Sequence, residues 1–227
     1  MEQLKEILEN CSLFAQLSPD NLYKVAQSAS RREYVKGMTI YPREEEFPFL
    51  ALVASGGFEI IKCSSAGRTM VVTILKSNEL FWGCNFFLSS CSHDENVNLK
   101  ANEASCIYFW LRDDILPILL QNGKALWELC CIMAKRIERV GTMLDELTFF
   151  SVKKRVARFL IDQAEQIKDD HIPRILTLED TAKRIGTTSE VVCRTLYRFS
   201  DLGFLQINQM EVVLIDHAKL KQIAEQT

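Results

Sequence analysis

One stretch restricts this chain more than any other: Leu176 to Leu205, LTLEDTAKRIGTTSEVVCRTLYRFSDLGFL. Thr177 can cap a short helix, and Asp180 three positions on can complete a capping box with it. Leu178, Ala182 and Ile185 form one apolar edge, and Gly186 supplies a stop. After the turn Gly186-Thr187-Thr188 a second helix begins, capped by Thr187 or Thr188. At about 100° per residue its Val192, Thr195, Leu196 and Phe199 gather on one side, and Glu190, Cys193, Arg194, Tyr197 and Arg198 on the other. One side is anchored and the other is offered to something polar, as in a helix-turn-helix whose second helix enters a major groove. An ordinary packed helical hairpin would show the same apolar edge.

The remainder must supply that pair with a scaffold. The 227 residues suffice for one large or two modest domains, and 48% hydrophobic with 25% charged residues describes a soluble globular chain. A net charge of −3 argues against a general polyanion binder. From Phe149 onward 12 Lys/Arg stand against 11 Asp/Glu, and the first 148 residues carry 15 against 19, so any nucleic-acid contact must come from a local patch. No apolar run approaches the roughly 20 residues of a membrane span. The opening MEQLKEILEN lacks the regions of a signal peptide, so a cytoplasmic setting without membrane contact is expected. Eight cysteines are then free thiols rather than disulfides. No CxxC pair occurs, and His93, His171 and His217 are scattered, so no metal site is expected.

In chain order, residues 2 to 10 read as a helix, and Ser18-Pro19-Asp20 is a good start for another. From Tyr34 the texture changes to short runs rich in β-branched and aromatic residues, broken by glycine or polar turns. They are Met38–Tyr41, Phe49–Ala54, Phe58–Cys63, Thr69–Leu75, Leu80–Trp82, Val97–Ala101 and Cys106–Leu111, with a hairpin turn at Ser64-Ser65-Ala66-Gly67. Such density of short strands suggests a small barrel or roll.

A long helix should follow, capped by Asp113 or Asp114 with Pro117 in its first turn. Leu126, Cys130, Met133, Ile137, Val140, Leu144 and Leu147 are spaced 4-3-4-3-4-3, an a/d seam suited to a homodimer contact. A helix buried within its own domain could show a similar stripe. Beyond Phe149 a basic amphipathic helix is expected, with Lys153, Lys154, Arg155 and Arg158 outside and Val152, Val156, Phe159 and Leu160 inside. Residues 204–207 and 211–215 then flank Asn208-Gln209-Met210 as a two-stranded wing, and Asp216 caps a last short helix. The expected class is α+β: an N-terminal β-roll over 1–112, a long dimerisation helix over 113–148 and a C-terminal winged helix-turn-helix over 149–227.

That order resembles the CRP/FNR family of bacterial transcription regulators over essentially the whole chain. The family's spaced glycines look matched by Gly37, Gly57, Gly67 and Gly83, with Ser77 where another is usual. Leu13-Phe14-Ala15-Gln16-Leu17-Ser18 looks like the family's entry into its first domain. Glu190, Val191, Val192, Cys193, Arg194 and Leu196 fall on the pattern of its recognition helix. The resemblance implies a cyclic-nucleotide-binding-like jelly roll, double-stranded DNA as partner, a homodimer, and RNA polymerase as a further partner.

Departures from the family pattern narrow the effector. The cyclic-AMP-binding members carry a Gly-Glu and an Arg-Ser pair in the roll. Here the stretch reads Gly83-Cys84-Asn85-Phe86-Phe87-Leu88, and no Arg-Ser occurs before Ala101. A phosphate without an arginine or a set of free amides has nothing to offset its charge, so cyclic AMP is not expected. Only Cys11 precedes Cys63, which does not provide the closely spaced N-terminal cysteines of the iron-sulfur members.

Within this frame Arg194 can donate two hydrogen bonds to guanine, and Glu190, one turn earlier, can accept from a cytosine amino group. A surface ion pair between them is the plainer alternative. Ser189 stands where the cyclic-AMP branch has arginine, which implies a TTGAT-like half-site more than TGTGA. Cys193 can touch a thymine methyl, and Thr187, Thr188, Lys183 and Arg198 are candidates for phosphate contact. For an effector, Trp82, Cys84, Phe86, Cys91 and His93 outline a haem or redox-sensing pocket, or else these thiols and rings are ordinary core. A cupin-type enzyme would need clustered His and Glu ligands, and the roll has only His93. No catalytic arrangement stands out, so no enzyme activity is expected. A ligand-sensing module without DNA binding is the remaining alternative.

Overall fold

The computed structural model describes residues 2–40, 48–88, 97–173 and 177–225, apart from the Cys84 side chain. The chain divides into two compact units, residues 1–138 and 139–227.

The first unit opens with α1 (Glu2–Asn10) and α2 (Pro19–Ser28), the latter capped by Ser18, whose hydroxyl accepts from the Asn21 amide. Among the described residues eight strands follow: β1 (Ser30–Tyr34), β2 (Thr39–Ile40), β3 (Phe49–Ser55), β4 (Gly57–Cys63), β5 (Thr69–Lys76), β6 (Leu80–Trp82), β7 (Val97–Ala101) and β8 (Ser105–Leu111). They form two four-stranded antiparallel sheets ordered β1-β8-β3-β6 and β2-β7-β4-β5. Strands β3 and β8 are the keel, and their sequences FLALVA and CIYFWL are almost unbroken apolar runs because both faces are covered. Phe49, Ala51, Val53, Ile107 and Phe109 meet the second sheet, whereas Leu50, Leu52, Tyr108 and Trp110 meet the helices. Trp110 has no exposed surface, and its indole N–H donates to the Val25 carbonyl at 2.7 Å.

Strand β1 was missed in the sequence. SRREY is polar and almost wholly exposed, so it has no alternating pattern to detect; it is held by pairing with β8, Ser30 opposite Phe109. The β4–β5 turn forms as expected, with the Gly67 amide donating to Ser64 and Gly67 at φ +75°. Tyr41, expected to end β2, lies outside the described residues. Of the glycines, Gly56 is needed for close approach: it stands at φ +75°, and a Cβ there would meet the Ala104 carbonyl at 2.5 Å.

The single long helix expected from residue 113 is instead two. Helix α3 (Arg112–Leu120) has Leu111 at its N-cap, and Pro117 lies in its interior rather than its first turn. The chain turns through 111° before α4 (Gly123–Phe149). Asn122 makes that corner: its side-chain oxygen accepts from the Ala125 amide at 3.0 Å, and its Nδ2 donates to the Gln16 carbonyl at 3.1 Å. The cap of the long helix is therefore Asn122, not Asp113 or Asp114, a residue held from 106 positions away. At 27 residues α4 is about 40 Å long. No single helix among the described residues is long and apolar enough to cross a membrane.

The second unit contains α5 (Val152–Ile167), β9 (His171–Pro173), α6 (Leu178–Ile185), α7 (Ser189–Asp201), β10 (Leu205–Ile207), β11 (Glu211–Leu214) and α8 (His217–Glu225). One core joins Val156, Leu160, Ala182, Ile185, Val192, Phe199, Leu205 and Leu220. The wing has three strands rather than two, in the order β10-β11-β9, because Ile172 pairs opposite Val212. Three residues, His-Ile-Pro, are too short to announce a strand. Asp216 caps α8 through the Lys219 amide, as expected.

Candidate nucleic-acid interface

Helix α6 begins on a full capping box. The Thr177 hydroxyl accepts from the Asp180 amide at 3.0 Å, and the Asp180 carboxylate accepts from the Thr177 amide at 3.2 Å. Its end is set by Gly186 at φ +68°, a left-handed conformation that glycine adopts without cost. The Gly186 and Thr187 amides both return to the Ala182 carbonyl, closing the turn. Thr188 then caps α7, its hydroxyl accepting from the Val191 amide at 3.4 Å.

These caps orient α7. Val192 and Phe199 have no exposed surface, and Thr195 turns its hydroxyl back onto the Val191 carbonyl at 2.7 Å. The opposite side carries Glu190, Arg194, Tyr197 and Arg198, all exposed, with Cys193 partly covered at its edge. Among the described residues Glu190 and Arg194 form no ion pair with each other. Ser189 is exposed at the helix start beside Thr188, and Thr187 is half-buried in the turn. Lys183 leans on Glu179 at 2.7 Å, one turn away on α6. That pair is a local helix contact, and Lys183 would have to leave it to reach a phosphate.

Arg155 contradicts its expected place outside the basic helix. Its Nη1 donates to the Ile185 carbonyl at 2.6 Å and the Gly186 carbonyl at 3.2 Å. Burial holds its guanidinium below the ordinary arginine range, with Glu146 opposing that shift. Periodicity could not find it, because a long side chain on a helix flank can turn inward to carbonyls that only tertiary packing brings near.

The seam expected on α4 separates into two faces. Ala125 and Leu129 are buried and Ile132 packs on the core of the roll, as does the half-buried Leu126. The other face leaves Met133, Ile137, Val140 and Leu144 at 37%, 72%, 51% and 62% exposed, with Cys130 exposed beside them and Leu147 half-buried. Four large apolar side chains in a row at heptad spacing on open solvent form an unpartnered apolar stripe.

In the roll, Trp82 is half-buried and Phe86 wholly so, and Phe87 stacks edge-on against both, with ring centroids 5.9 and 4.8 Å away. Phe86 thus belongs to the packed core. Cys91 and His93 lie outside the described residues, as does the Cys84 side chain. Cys11 and Cys106 are core residues, and burial pushes the Cys11 thiol up. Among the described residues no three His, Cys, Asp or Glu side chains are grouped to hold a metal ion.

A capped helix pair joined by a left-handed glycine and flanked by a three-stranded wing defines a winged helix-turn-helix DNA-binding protein, here with a β-roll before it. The comparisons agree. A Crp-like helix-turn-helix domain matches residues 154–223. The CRP-like cAMP-activated global transcriptional regulator of Mycobacterium tuberculosis is 22% identical over 231 residues, covering 97% of this chain and 100% of that protein. The transcriptional regulatory protein btr of Bordetella pertussis is 26% identical over 200 residues, covering 84% and 79%. Among solved structures, a crp/fnr-family transcriptional regulator from Eubacterium rectale matches with a TM-score of 0.78 at 18% identity, over 94% of this chain and 98% of that one. The c-di-GMP responsive global regulator CLP of Xanthomonas campestris matches at 0.72 and 19%, over 87% and 99%. Residues 154–223 thus match a Crp-like helix-turn-helix domain, and over nearly its whole length the chain is similar to CRP-like transcription regulators and shares their fold.

Proposed function

We propose that two copies of this chain pair along α4 and read a palindromic site in double-stranded DNA, each inserting α7 into a major groove. The observation that carries the reading is the division of α7: Val192 and Phe199 wholly buried, Glu190 and Arg194 exposed one turn apart and not paired with each other. Arg194 would read guanine, Glu190 cytosine, and Cys193 a thymine methyl, on a TTGAT-like half-site. Thr187, Thr188 and Arg198 would hold the phosphates, with Lys183 once released from Glu179, and Ser189, where the cyclic-AMP branch has arginine, would favour that half-site. The exposed row Met133, Ile137, Val140 and Leu144, with Cys130 between turns, supports the pairing surface. Half-sites would lie about one helical turn apart.

The effector would enter the roll and change the relation of the two recognition helices. It is proposed to be something other than cyclic AMP, although relatives carry cAMP in their names, because Cys84 and Asn85 follow Gly83 where a ribose-binding glutamate would stand. The protein is read as a cytoplasmic binding protein acting on RNA polymerase, not an enzyme.

Selection of bound sequences from a random DNA pool, with sedimentation of the free protein, tests this. Enrichment of a two-fold palindrome by a dimer is the expected result. A monomer at every concentration that enriches nothing would sink the proposal, and tight binding of cyclic AMP would overturn the choice of effector.

A further inference from the structure

We infer that Arg155 is a positioning residue for DNA reading: it fixes the turn between α6 and α7 and thereby the direction in which α7 is presented. The inference rests on the DNA-reading role proposed for α7.

Helix α6 has only eight residues and would be marginal on its own. A helix end leaves carbonyls without partners and carries partial negative charge. Here the Gly186 and Thr187 amides serve the Ala182 carbonyl, which leaves the Ile185 and Gly186 carbonyls unserved by the helix itself. Both are taken by one nitrogen of Arg155, at 2.6 and 3.2 Å. The bonds are charge-assisted, and a planar guanidinium restricts their direction as an ammonium does not.

The place of these carbonyls matters more than their number. The Gly186 carbonyl belongs to the peptide that leads into Thr187, and Thr188 is the cap of α7. Rotation of that peptide plane would swing the first turn of α7, where Glu190 stands, and carry Arg194 with it. The same helix touches the far end of α7 as well, since the Lys153 ammonium lies 6.0 Å from the Phe199 ring centroid. Helix α5 therefore meets both the turn that leads into α7 and the far end of α7, by residues two positions apart.

Stability alone does not account for the arrangement. Arg155 Nε is buried and has no hydrogen-bond partner, and burial disfavours the charge on its guanidinium. An apolar side chain of similar length could fill the same half-buried space, at the cost of leaving both carbonyls without their donor. What an apolar side chain cannot do is fix the orientation of two carbonyls at a turn.

The test uses the full chain and a site selected by the wild-type protein from random DNA. Arg155→Met keeps length without donors, and Arg155→Lys keeps charge without the planar fork. Affinity for the selected site and for a scrambled duplex is measured well below each melting midpoint. The expected result is that Arg155→Met remains folded and loses about tenfold or more in the ratio of selected to scrambled affinity, with scrambled binding little changed. Arg155→Lys recovers part of that ratio. A folded Arg155→Met with the wild-type ratio overturns the inference. Should Arg155→Met not fold, Arg155→Lys decides: a reduced ratio supports the role and a full ratio overturns it. If neither folds, Arg155 serves the fold and the inference is wrong. Failure of the wild type to enrich any sequence would instead overturn the underlying role of α7.

Discussion

The guanidinium of Arg136 lies 3.9 Å from the centroid of the Trp82 ring and donates to the carbonyl of Leu80. A residue of α4 is thereby fastened to β6 and to the edge of the aromatic group formed with Phe87. Cation–π contacts at partly covered sites contribute about 0.5–2 kcal/mol. Arg136→Ala is expected to destabilise the protein by about that amount in urea unfolding and to alter the fluorescence of Trp82. Unchanged stability and an unchanged spectrum would show that the contact carries nothing.

The two faces of α4 should respond differently to the same truncation. Leu129 is 4% exposed in the core of the roll, so Leu129→Ala is expected to cost about 2–5 kcal/mol. Ile137 is 72% exposed, so Ile137→Ala should leave the isolated fold within about 0.5 kcal/mol but weaken association. Sedimentation equilibrium beside chemical denaturation separates the two outcomes. Equal effects of Ile137→Ala on the stability of monomer and dimer would remove the seam from the interface.

Base reading through α7 makes a sharper demand. Arg194→Ala should cost about 1–3 kcal/mol on the selected site and relax the preference at one base pair of each half-site. Arg198→Ala, at a proposed phosphate contact, should weaken all sequences alike and reduce the salt dependence. Titration against single-base variants distinguishes them, and equal operator affinity of wild type and Arg194→Ala would refute the guanine contact.

Thiol labelling tests burial and pairing together. Cys11 is 1% exposed, and burial raises its pKa, so thiolate forms there less readily as pH rises than at an ordinary cysteine. It should react with a thiol reagent only on the timescale of unfolding. Cys130 is exposed on the single chain and should be protected in the dimer, becoming labelled when Ile137→Asp separates the copies. Rapid labelling of Cys130 in an intact dimer would place it off the interface.

What could be read directly were the features that local chemistry controls. Thr177 with Asp180, Gly186 and Thr188 are caps and a stop whose action spans at most a few residues, and each behaves as its spacing implies. The apolar runs of β3 and β8 likewise announced buried strands. The corner at Asn122 is hidden in the sequence because an aspartate pair and a proline offer a plausible helix start, while the real cap depends on Gln16 across the fold. Strand β1 and the third wing strand escaped because their residues gain a ladder only from a neighbour far along the chain.

The candidate site divides in the same way. That Glu190 and Arg194 share the outer side of a helix follows from a period of 3.6 residues and needs no tertiary contact. That Arg155 turns inward to Ile185 and Gly186, that Lys183 leans on Glu179, and that α4 gives one face to the roll and leaves the other bare were decided only by packing. Periodicity assigns a side chain to a face. Which faces are covered, and which long polar side chains find carbonyls beneath them, depends on elements brought together from distant parts of the chain.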